Sequence, residues 1–403
     1  MALLPVGDAL SRILQDAAPL PAEHVPLAEA GGRVLAADVA ARITQPPADI
    51  SAMDGYALRA DDVASVPTTL KVIGEVAAGH PFAVPVAAGE AARIFTGGVL
   101  PAGTDAVVIQ ENTTRQGDMV VINASVARGK NVRVCGLDFK QGDVLLPKGR
   151  RLTARDLMLA AAMNHPTVPL HRVPKVAVLG TGDELQLPGA ELSPGQVVYS
   201  NGFALCALAR QEGAAAVDLG IAPDRTDAIA GAVRRAREIG ADILVTAGGA
   251  SVGDHDLVQQ SLAKEGLTLS FWKVALRPGR PVMHGRLGGM HVLGVPGNPV
   301  SSYVCALLFL VPLIRRLSGR IDLSATSESA VLGSDLPAND ERMDFLRATL
   351  SLGLDGVPVA TPLPIQDSSM MAALAKADCL LIRESHAPAL ASGSPCPIVK
   401  LRF

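Results

Sequence analysis

The chain has 403 residues, of which 49% are hydrophobic and 19% are charged. This composition is typical of a folded protein and excludes disorder, and the length exceeds what one hydrophobic core supports, so about two to four domains are expected. The formal net charge is -3 and no basic tract is present, which argues against a nucleic-acid partner. The five cysteines are isolated and form no CxxC pair, so neither a zinc site nor a disulfide framework is indicated.

The N-terminal sequence MALLPVGDALSRILQDAAPLP predicts a short amphipathic helix that is capped near Asp8. It contains no basic leader followed by a long apolar stretch, so no secretion signal is predicted, and reduced cysteines fit a cytoplasmic protein. The most apolar segment, 304–314, is about half the ~20 residues needed to cross a bilayer. We therefore expect a buried helix there and no membrane partner.

Residues 25–150 contain short apolar runs, such as LKVIGEV and MVVINASV, that are separated by turn residues. This pattern predicts strands and turns with little helix. Over 175–319, strands alternate with helical segments, which predicts an α/β domain with a parallel sheet covered on both faces. After Gly319 the short strands return, and they predict a small separate β domain.

Three glycine-rich loops follow strands of the predicted sheet, namely GTGDEL, TAGGASVGDHD and GVPGNPVSS. Because the carboxyl ends of parallel strands meet at one edge, we expect these loops to form one site. Glycines let backbone N–H groups approach a phosphate, and acidic residues such as Glu184 suit a Mg²⁺ ion that bridges carboxylate and phosphate oxygens. The alternative is a set of purely structural turns. Neither the Walker nor the GxGxxG pattern occurs, so an ordinary ATPase or dinucleotide site is not supported.

A basic segment, FWKVALRPGRP, carries Lys273, Arg277 and Arg280. Lys273 and Arg277 are four residues apart, so on one strand they would face the same way and form a clamp for an anion. The alternative is a solvated strand face. His255 is the only histidine in a candidate loop, and we interpret it as incidental.

Six motifs then carry a resemblance over essentially the whole chain: SAMDGYA, RIFTGGVLPAGTDAVV, GTGDEL, GGASVGDHD, FWKVALRPGRP and GVPGNPVSS. In their order and spacing they resemble the MoeA family of molybdopterin molybdenumtransferases, whose eukaryotic relative is the E domain of gephyrin. The resemblance implies a three-layer α/β/α molybdopterin-binding domain of the MogA-like kind, β-rich N-terminal domains and a small C-terminal β-barrel. The implied segments are an N-terminal helix (1–24) on the α/β or linking domain, a linking domain (25–50 and 140–173), a β-rich inserted domain (51–139), the α/β domain (174–320) and the barrel (321–403).

The resemblance also implies a reaction, in which molybdate is inserted into adenylylated molybdopterin with Mg²⁺-dependent release of AMP. It implies a homodimer whose active cleft lies between the α/β domain of one subunit and the β-rich part of the other. A contact with the molybdopterin adenylyltransferase acting one step earlier is a further candidate. The alternatives are that the chain is itself a molybdopterin adenylyltransferase, or an inactive scaffold of the same fold.

The site residues implied by the resemblance fall into three groups. Those facing the cleft as catalytic residues are Asp54, Thr96, Asp138, Glu184, Asp224, Asp256, Lys273 and Arg277. Those at the pterin and phosphates are Gly248, Gly249, Ser251, Gly253, Pro296, Gly297, Asn298, Pro299 and Ser301. Glu184 and Asp256 are the expected Mg²⁺ ligands, and Asp254 receives no role. The family often has lysine in place of Arg277, whose guanidinium binds bidentately where an ammonium is a point charge.

Overall fold

A computed structural model describes residues 3–248, 257–324, 326–354 and 356–401. Its first helix, α1 (Val6–Gln15), begins after Pro5 without a side-chain cap, and Asp8 lies within the first turn. The prediction of a cap near Asp8 is therefore wrong: the carboxylate lies beside the positive end of the helix dipole and closes no hydrogen bond as a cap. The apolar side of α1 is buried against the α/β core, where Ala9 and Ile13 are fully enclosed.

After α1 the chain forms two short strands, each of which pairs with a strand from much later in the sequence. These are β1 (Ala22–Pro26) and β2 (Val39–Ala40). The chain then forms a separate β-rich body and returns to the region of β1 and β2 near residue 140.

The β-rich body contains a six-stranded sheet with the order β7-β4-β6-β5-β9-β8 and a separate β3–β10 pair. All neighbours are antiparallel except β5 and β6. The strands are β3 (Ile50–Ser51), β4 (Gly55–Leu58), β5 (Thr68–Val76), β6 (Glu90–Ile94), β7 (Ala106–Ile109), β8 (Thr113–Gln116), β9 (Met119–Ile122) and β10 (Val132–Arg133).

The returning chain completes the linking region. It forms β11 (Val144–Leu146), α2 (Ala154–Ala162) and β12 (Thr167–His171). β12 pairs with β1 and β11 pairs with β2, both antiparallel, so segments on either side of the β-rich body share one core. α2 begins with a capping box in which Thr153 and Asp156 exchange hydrogen bonds.

The α/β part is built on a six-stranded sheet with the order β16-β13-β17-β21-β20-β18. Its elements are β13 (Lys175–Thr181), β14 (Leu185–Gln186), β15 (Val197–Val198), α3 (Asn201–Gln211), β16 (Ala215–Ala222), α4 (Thr226–Glu238), β17 (Ile243–Ala247), α5 (Leu257–Lys264), β18 (Thr268–Trp272), β19 (Leu276–Arg277), β20 (Met283–Leu287), β21 (Met290–Val295), α6 (Pro299–Cys305), a π-helical turn (Ala306–Leu310) and α7 (Val311–Leu317). Along β13, Val176 and Val178 face α1 and α3, whereas Ala177 and Leu179 face α4 and α5. Burial on both faces explains why this strand is apolar throughout.

The predicted parallel sheet is correct only for β16, β13, β17 and β21. β20 and β18 are antiparallel additions at one edge, which the predicted parallel sheet does not include. The physical reason is a two-residue hairpin: Gly288 and Gly289 separate Leu287 from Met290, and Gly288 adopts a φ of 62°. Such turns join antiparallel strands.

The apolar segment 304–314 is confirmed as part of a buried helix. Among the described residues, the continuous helix Pro299–Leu317 is long and apolar enough to span a membrane, but 83% of its most apolar window is enclosed by the protein. It packs against α1, α3 and the sheet and forms the centre of the largest apolar cluster among these residues.

The C-terminal part is a closed five-stranded β-barrel, which confirms the predicted small β domain. The strands follow the order β23-β24-β22-β26-β25, and β25 closes the barrel on β23. β19 of the α/β part adds to β23 in parallel. The elements are β22 (Glu328–Leu332), β23 (Met343–Leu352), β24 (Pro358–Pro362), α8 (Met371–Lys376), β25 (Cys379–Arg383) and β26 (Pro395–Lys400).

Candidate active site

A cleft of about 970 Å³ opens where the parallel strands of the α/β sheet end. β13, β17 and β21 are neighbours in that sheet, so the ends of the three strands adjoin, as the sequence predicts; the loop after β17 is described only as far as Gly248. Seven of the implied site residues line this cleft: Glu184, Asp224, Gly248, Pro296, Gly297, Asn298 and Pro299. Ser301 does not, because it points into the buried side of α6 with 4% of its surface exposed.

Two glycines let the strand ends close up around the cleft. Gly248, at the end of β17, has a φ of +108°, and a Cβ there would lie 2.4 Å from the carbonyl oxygen of Thr181. Gly182 is folded under Glu184, so a Cβ there would lie 2.4 Å from a carboxylate oxygen. The hydroxyl of Thr181 is buried without a hydrogen-bond partner at the cleft wall. These features leave backbone close to the space that a ligand would occupy, with the unpartnered hydroxyl buried in the wall behind it.

Acidic side chains from two loops face the same cleft. The backbone N–H of Asp224 donates to the carboxylate of Asp183 at 3.0 Å. Burial first, and then the charges of Asp183 and Glu184, raise the pKa of Asp224 above its usual range. Like charges held together in this way favour a bound cation.

The donor set fits Mg²⁺ held jointly by protein and substrate. Within the described ranges, no group of three or more His, Cys, Asp or Glu is placed to hold a metal ion by itself. Mg²⁺ is commonly bound by one or two carboxylates together with substrate phosphates, so Glu184 and Asp224 suffice chemically. Asp256, the other expected ligand, lies outside the described residues, as do Gly249, Ser251, Gly253, Asp254 and His255.

The structure brings Asp54 and Thr96 together on the β-rich body. One carboxylate oxygen of Asp54 accepts from both the N–H and the hydroxyl of Thr96, each at 2.8 Å. These bonds hold the pKa of Asp54 below its usual range. Neither residue lines the cleft of its own chain. Asp138 is exposed on a turn, and its backbone N–H donates to the carbonyl of Gln45.

The predicted clamp of Lys273 and Arg277 is wrong, because the two residues do not share a strand. β18 ends at Trp272, Lys273 adopts a left-handed φ of 78°, and β19 pairs with the barrel. Arg277 donates to both carboxylate oxygens of Asp344, at 2.7 and 2.5 Å, and to Asp340 at 3.1 Å. The Lys273 ammonium instead lies 5.0 Å from the centre of the Trp272 ring.

Sequence reasoning missed the contribution of the barrel to the cleft. Ser369 and Met371 line it, and the Ser368 hydroxyl accepts from the side-chain amide of Asn298 at 2.7 Å. Beneath this loop Arg347 is 1% exposed, its Nε has no partner, and burial lowers its pKa. The only available signal was a charged residue within the apolar strand sequence DFLRATL.

Comparisons with known proteins agree with this architecture. Three family models match the chain: MoeA N-terminal region (domain I and II) over 4–164, probable molybdopterin binding domain over 177–316, and MoeA C-terminal region (domain IV) over 329–401. A molybdopterin molybdenumtransferase of Haemophilus influenzae is 34% identical over 98% of each chain. The chain belongs to the MoeA family.

Other members of the MoeA family are similarly related. A molybdopterin molybdenumtransferase of Nostoc is 40% identical over 74% of this chain and 70% of its own length. A crystal structure of the molybdopterin biosynthesis MoeA protein from Pyrococcus horikosii superposes with a TM-score of 0.86 at 31% identity and covers 100% of both chains. The MoeA family therefore accounts for the β-rich parts, the α/β domain and the barrel together.

Proposed function

We propose that this MoeA-family chain is a molybdopterin molybdenumtransferase that inserts molybdate into adenylylated molybdopterin and releases AMP. The observation that carries the proposal is the cleft at the ends of β13, β17 and β21, where glycine backbone and two carboxylates converge. A ligand with a phosphate chain and a planar ring requires this combination of close backbone approach and polar anchors.

The chain's own residues have separate tasks in this proposal. Gly182, Gly248 and Gly297 admit the phosphates, because these positions leave the backbone uncovered by side chains. Glu184 and Asp224, with Asp256, would hold Mg²⁺ against the phosphates, and the bound ion supplies Lewis acidity at the adenylyl bond. Lys273 is assigned to molybdate or phosphate as a charged donor.

A second subunit completes the site in this proposal. Asp54 and Thr96 of the partner subunit would face the cleft, because the same pair within one chain lies on a body that does not line its own cleft. The shared hydrogen bonds keep that carboxylate ionised and fixed in direction. The protein is proposed to act in the cytoplasm, next to the adenylyltransferase that supplies its substrate.

The decisive experiment measures AMP release from adenylylated molybdopterin with and without molybdate, over a titration of Mg²⁺. We expect molybdate-dependent release by the native chain. Glu184→Gln should lower the rate on the order of 100-fold and raise the Mg²⁺ concentration needed, because a neutral amide is a weak ligand for a hard cation.

The outcomes separate the competing functions. Full Mg²⁺-dependent activity in Glu184→Gln would show that this residue is not a metal ligand. Production of adenylylated molybdopterin and pyrophosphate from ATP and molybdopterin would identify an adenylyltransferase, and no turnover in either assay would identify a scaffold. The size of the β-rich parts and the barrel favours a molybdenumtransferase over an adenylyltransferase, because an adenylyltransferase needs little more than the α/β domain.

A further inference from the structure

The segment 273–277 lies at a junction of three distant parts of the chain. On one side Leu4 accepts from the N–H of Ala275 at 2.8 Å and donates to the carbonyl of Lys273 at 3.4 Å. On the other side the N–H of Met343, in the barrel, donates to the carbonyl of Ala275 at 2.9 Å. The N-terminus and the barrel thus hold the same few residues from opposite sides.

Arg277 is the principal side-chain contact of this junction. Its Nε and Nη2 donate to Asp344 as a bidentate pair, Nη1 donates to Asp340, and Nη2 also donates to the side chain of Asn339 at 2.9 Å. Four of the five N–H groups of a guanidinium are therefore used by the protein. The Asp344 carboxylate is only 8% exposed, so its pairing with Arg277 is screened little by solvent.

An anion would meet an unfavourable environment at Arg277. The two carboxylates that occupy its donors would repel molybdate or a phosphate, and a ligand would have to displace one of them. Arg277 also does not line the cleft, whereas Pro281, a few residues later, does. These contacts distinguish Arg277 from Lys273, which forms no ion pair with any of the described residues.

We propose that Arg277 is a positioning residue, which fixes the barrel against the α/β domain and thereby sets the geometry of Lys273 and of the barrel loop that enters the cleft. This inference rests on the proposed function for its catalytic consequence. The barrel contributes Ser368 and Ser369 next to Asn298, so a shift of the barrel moves cleft residues directly. The ion pairs of Arg277 with Asp344 and Asp340 and the Asn298–Ser368 hydrogen bond are two separate attachments of the barrel to the α/β domain.

The backbone of Lys273 shows why the junction matters there. A non-glycine residue with a φ of 78° costs free energy and persists only where surrounding contacts hold it. Those contacts are the hydrogen bond from the Lys273 N–H to Val282 at 3.0 Å and the bond from Leu4. Loosening the junction would let this residue relax and turn its ammonium away from its present position over Trp272.

The test compares two single variants and their combination in the full-length chain: Arg277→Ala, Asp344→Asn, and both together. A positioning role predicts that each single variant lowers kcat for AMP release by a similar factor, on the order of 100-fold for a displacement of about 1 Å. The double variant should be no worse than either single variant, because both remove the same contact. Arg277→Lys should retain more activity than Arg277→Ala but less than the native chain, since an ammonium keeps one charge-assisted bond to Asp344 and cannot form the bidentate pair.

A second readout does not depend on catalysis. Hydrogen exchange at the amides of Ala275 and Met343 should accelerate in the Arg277 and Asp344 variants, and the fluorescence of Trp272, the single tryptophan, should change as Lys273 moves. Lys400→Ala is the matched control, because it removes a barrel ion pair with Glu328 that lies away from the junction. If Asp344→Asn does not fold, the more exposed Asp340→Asn replaces it.

The proposal is overturned if Asp344→Asn retains native kcat while Arg277→Ala raises the KM for molybdate. That result would mean that Arg277 binds molybdate directly, because a direct ligand does not need its carboxylate partner. Unchanged exchange and fluorescence in Arg277→Ala would overturn it equally. If the native chain releases no AMP, the proposed function fails, while the exchange and fluorescence results still decide whether Arg277 holds the junction.

Discussion

At the scale of single residues, the buried pair His284 and His291 shows how burial controls ionisation. Nε2 of His284 and Nδ1 of His291 lie 3.2 Å apart, and Arg286 donates to Nε2 of His291. This network makes His291 the donor within the pair and keeps both rings neutral. Burial, followed by the charge of Arg286, lowers the pKa of His284 to about 4 and that of His291 to about 3, while Asp16 opposes the shift at His284.

Acid is therefore expected to weaken the α/β domain. Between an unfolded pKa near 6.5 and these folded values, the unfolded chain binds more protons, so the free energy of unfolding falls as the pH is lowered. The loss is about 1.4 kcal/mol per pH unit for each histidine in this window. Thermal unfolding midpoints at pH 7 and pH 5 measure it. His284→Phe should reduce the difference, whereas His24→Gln, at an exposed position, should not; equal differences in both variants would refute this explanation.

At the scale of elements, the cleft depends on how closely the ends of β13 and β17 approach. The pattern KVAVLGT followed by a glycine-rich loop predicts the strand and its turn, because both are local properties. The approach itself is a property of two strands that are about 60 residues apart and is seen only where Gly248 meets the Thr181 carbonyl. The sequence therefore identifies the loops, and the sheet order brings them together.

Gly248→Ala is expected to disrupt the cleft. Its Cβ would lie 2.4 Å from a backbone oxygen, in a φ region that disfavours L-residues, so the loop must shift. We expect AMP release to fall on the order of 100-fold. Gly266→Ala is the control, because Gly266 has a positive φ of 92°, close to that of Gly248, but no atom within 4 Å of the added Cβ. Equal losses in the two variants would assign the effect to backbone strain alone.

At the scale of the whole molecule, the candidate residues form two groups that one chain does not bring together. Glu184 and Asp224 line the cleft of the α/β domain, and Asp54 with Thr96 lies on the β-rich body. The site shared between two copies that we propose would reconcile the groups, because in a two-fold dimer each copy can supply the same surface to the cleft of the other.

Complementation between inactive variants tests this arrangement. Glu184→Gln and Asp54→Asn subunits, each inactive alone, are mixed, denatured mildly and allowed to reassociate. Random pairing gives half mixed dimers with one intact site each, so about a quarter of the native AMP release should return. A site contained in one chain leaves the mixture inactive. A mixture of Glu184→Gln with Asp224→Asn, both in the same cleft, is the control and should stay inactive.

The sequence by itself determined the order of β-rich, α/β and β segments, the buried helix and the positions of the glycine loops. These depend on periodicity and on local turn chemistry, which neighbouring residues specify. Only the tertiary structure decided the role of Arg277. Its spacing from Lys273 suggested an anion clamp, yet its partners Asp340 and Asp344 lie more than sixty positions later. The charge of Arg277 alone does not specify its role, because the packing of the barrel on the α/β domain decides which carboxylates its guanidinium binds.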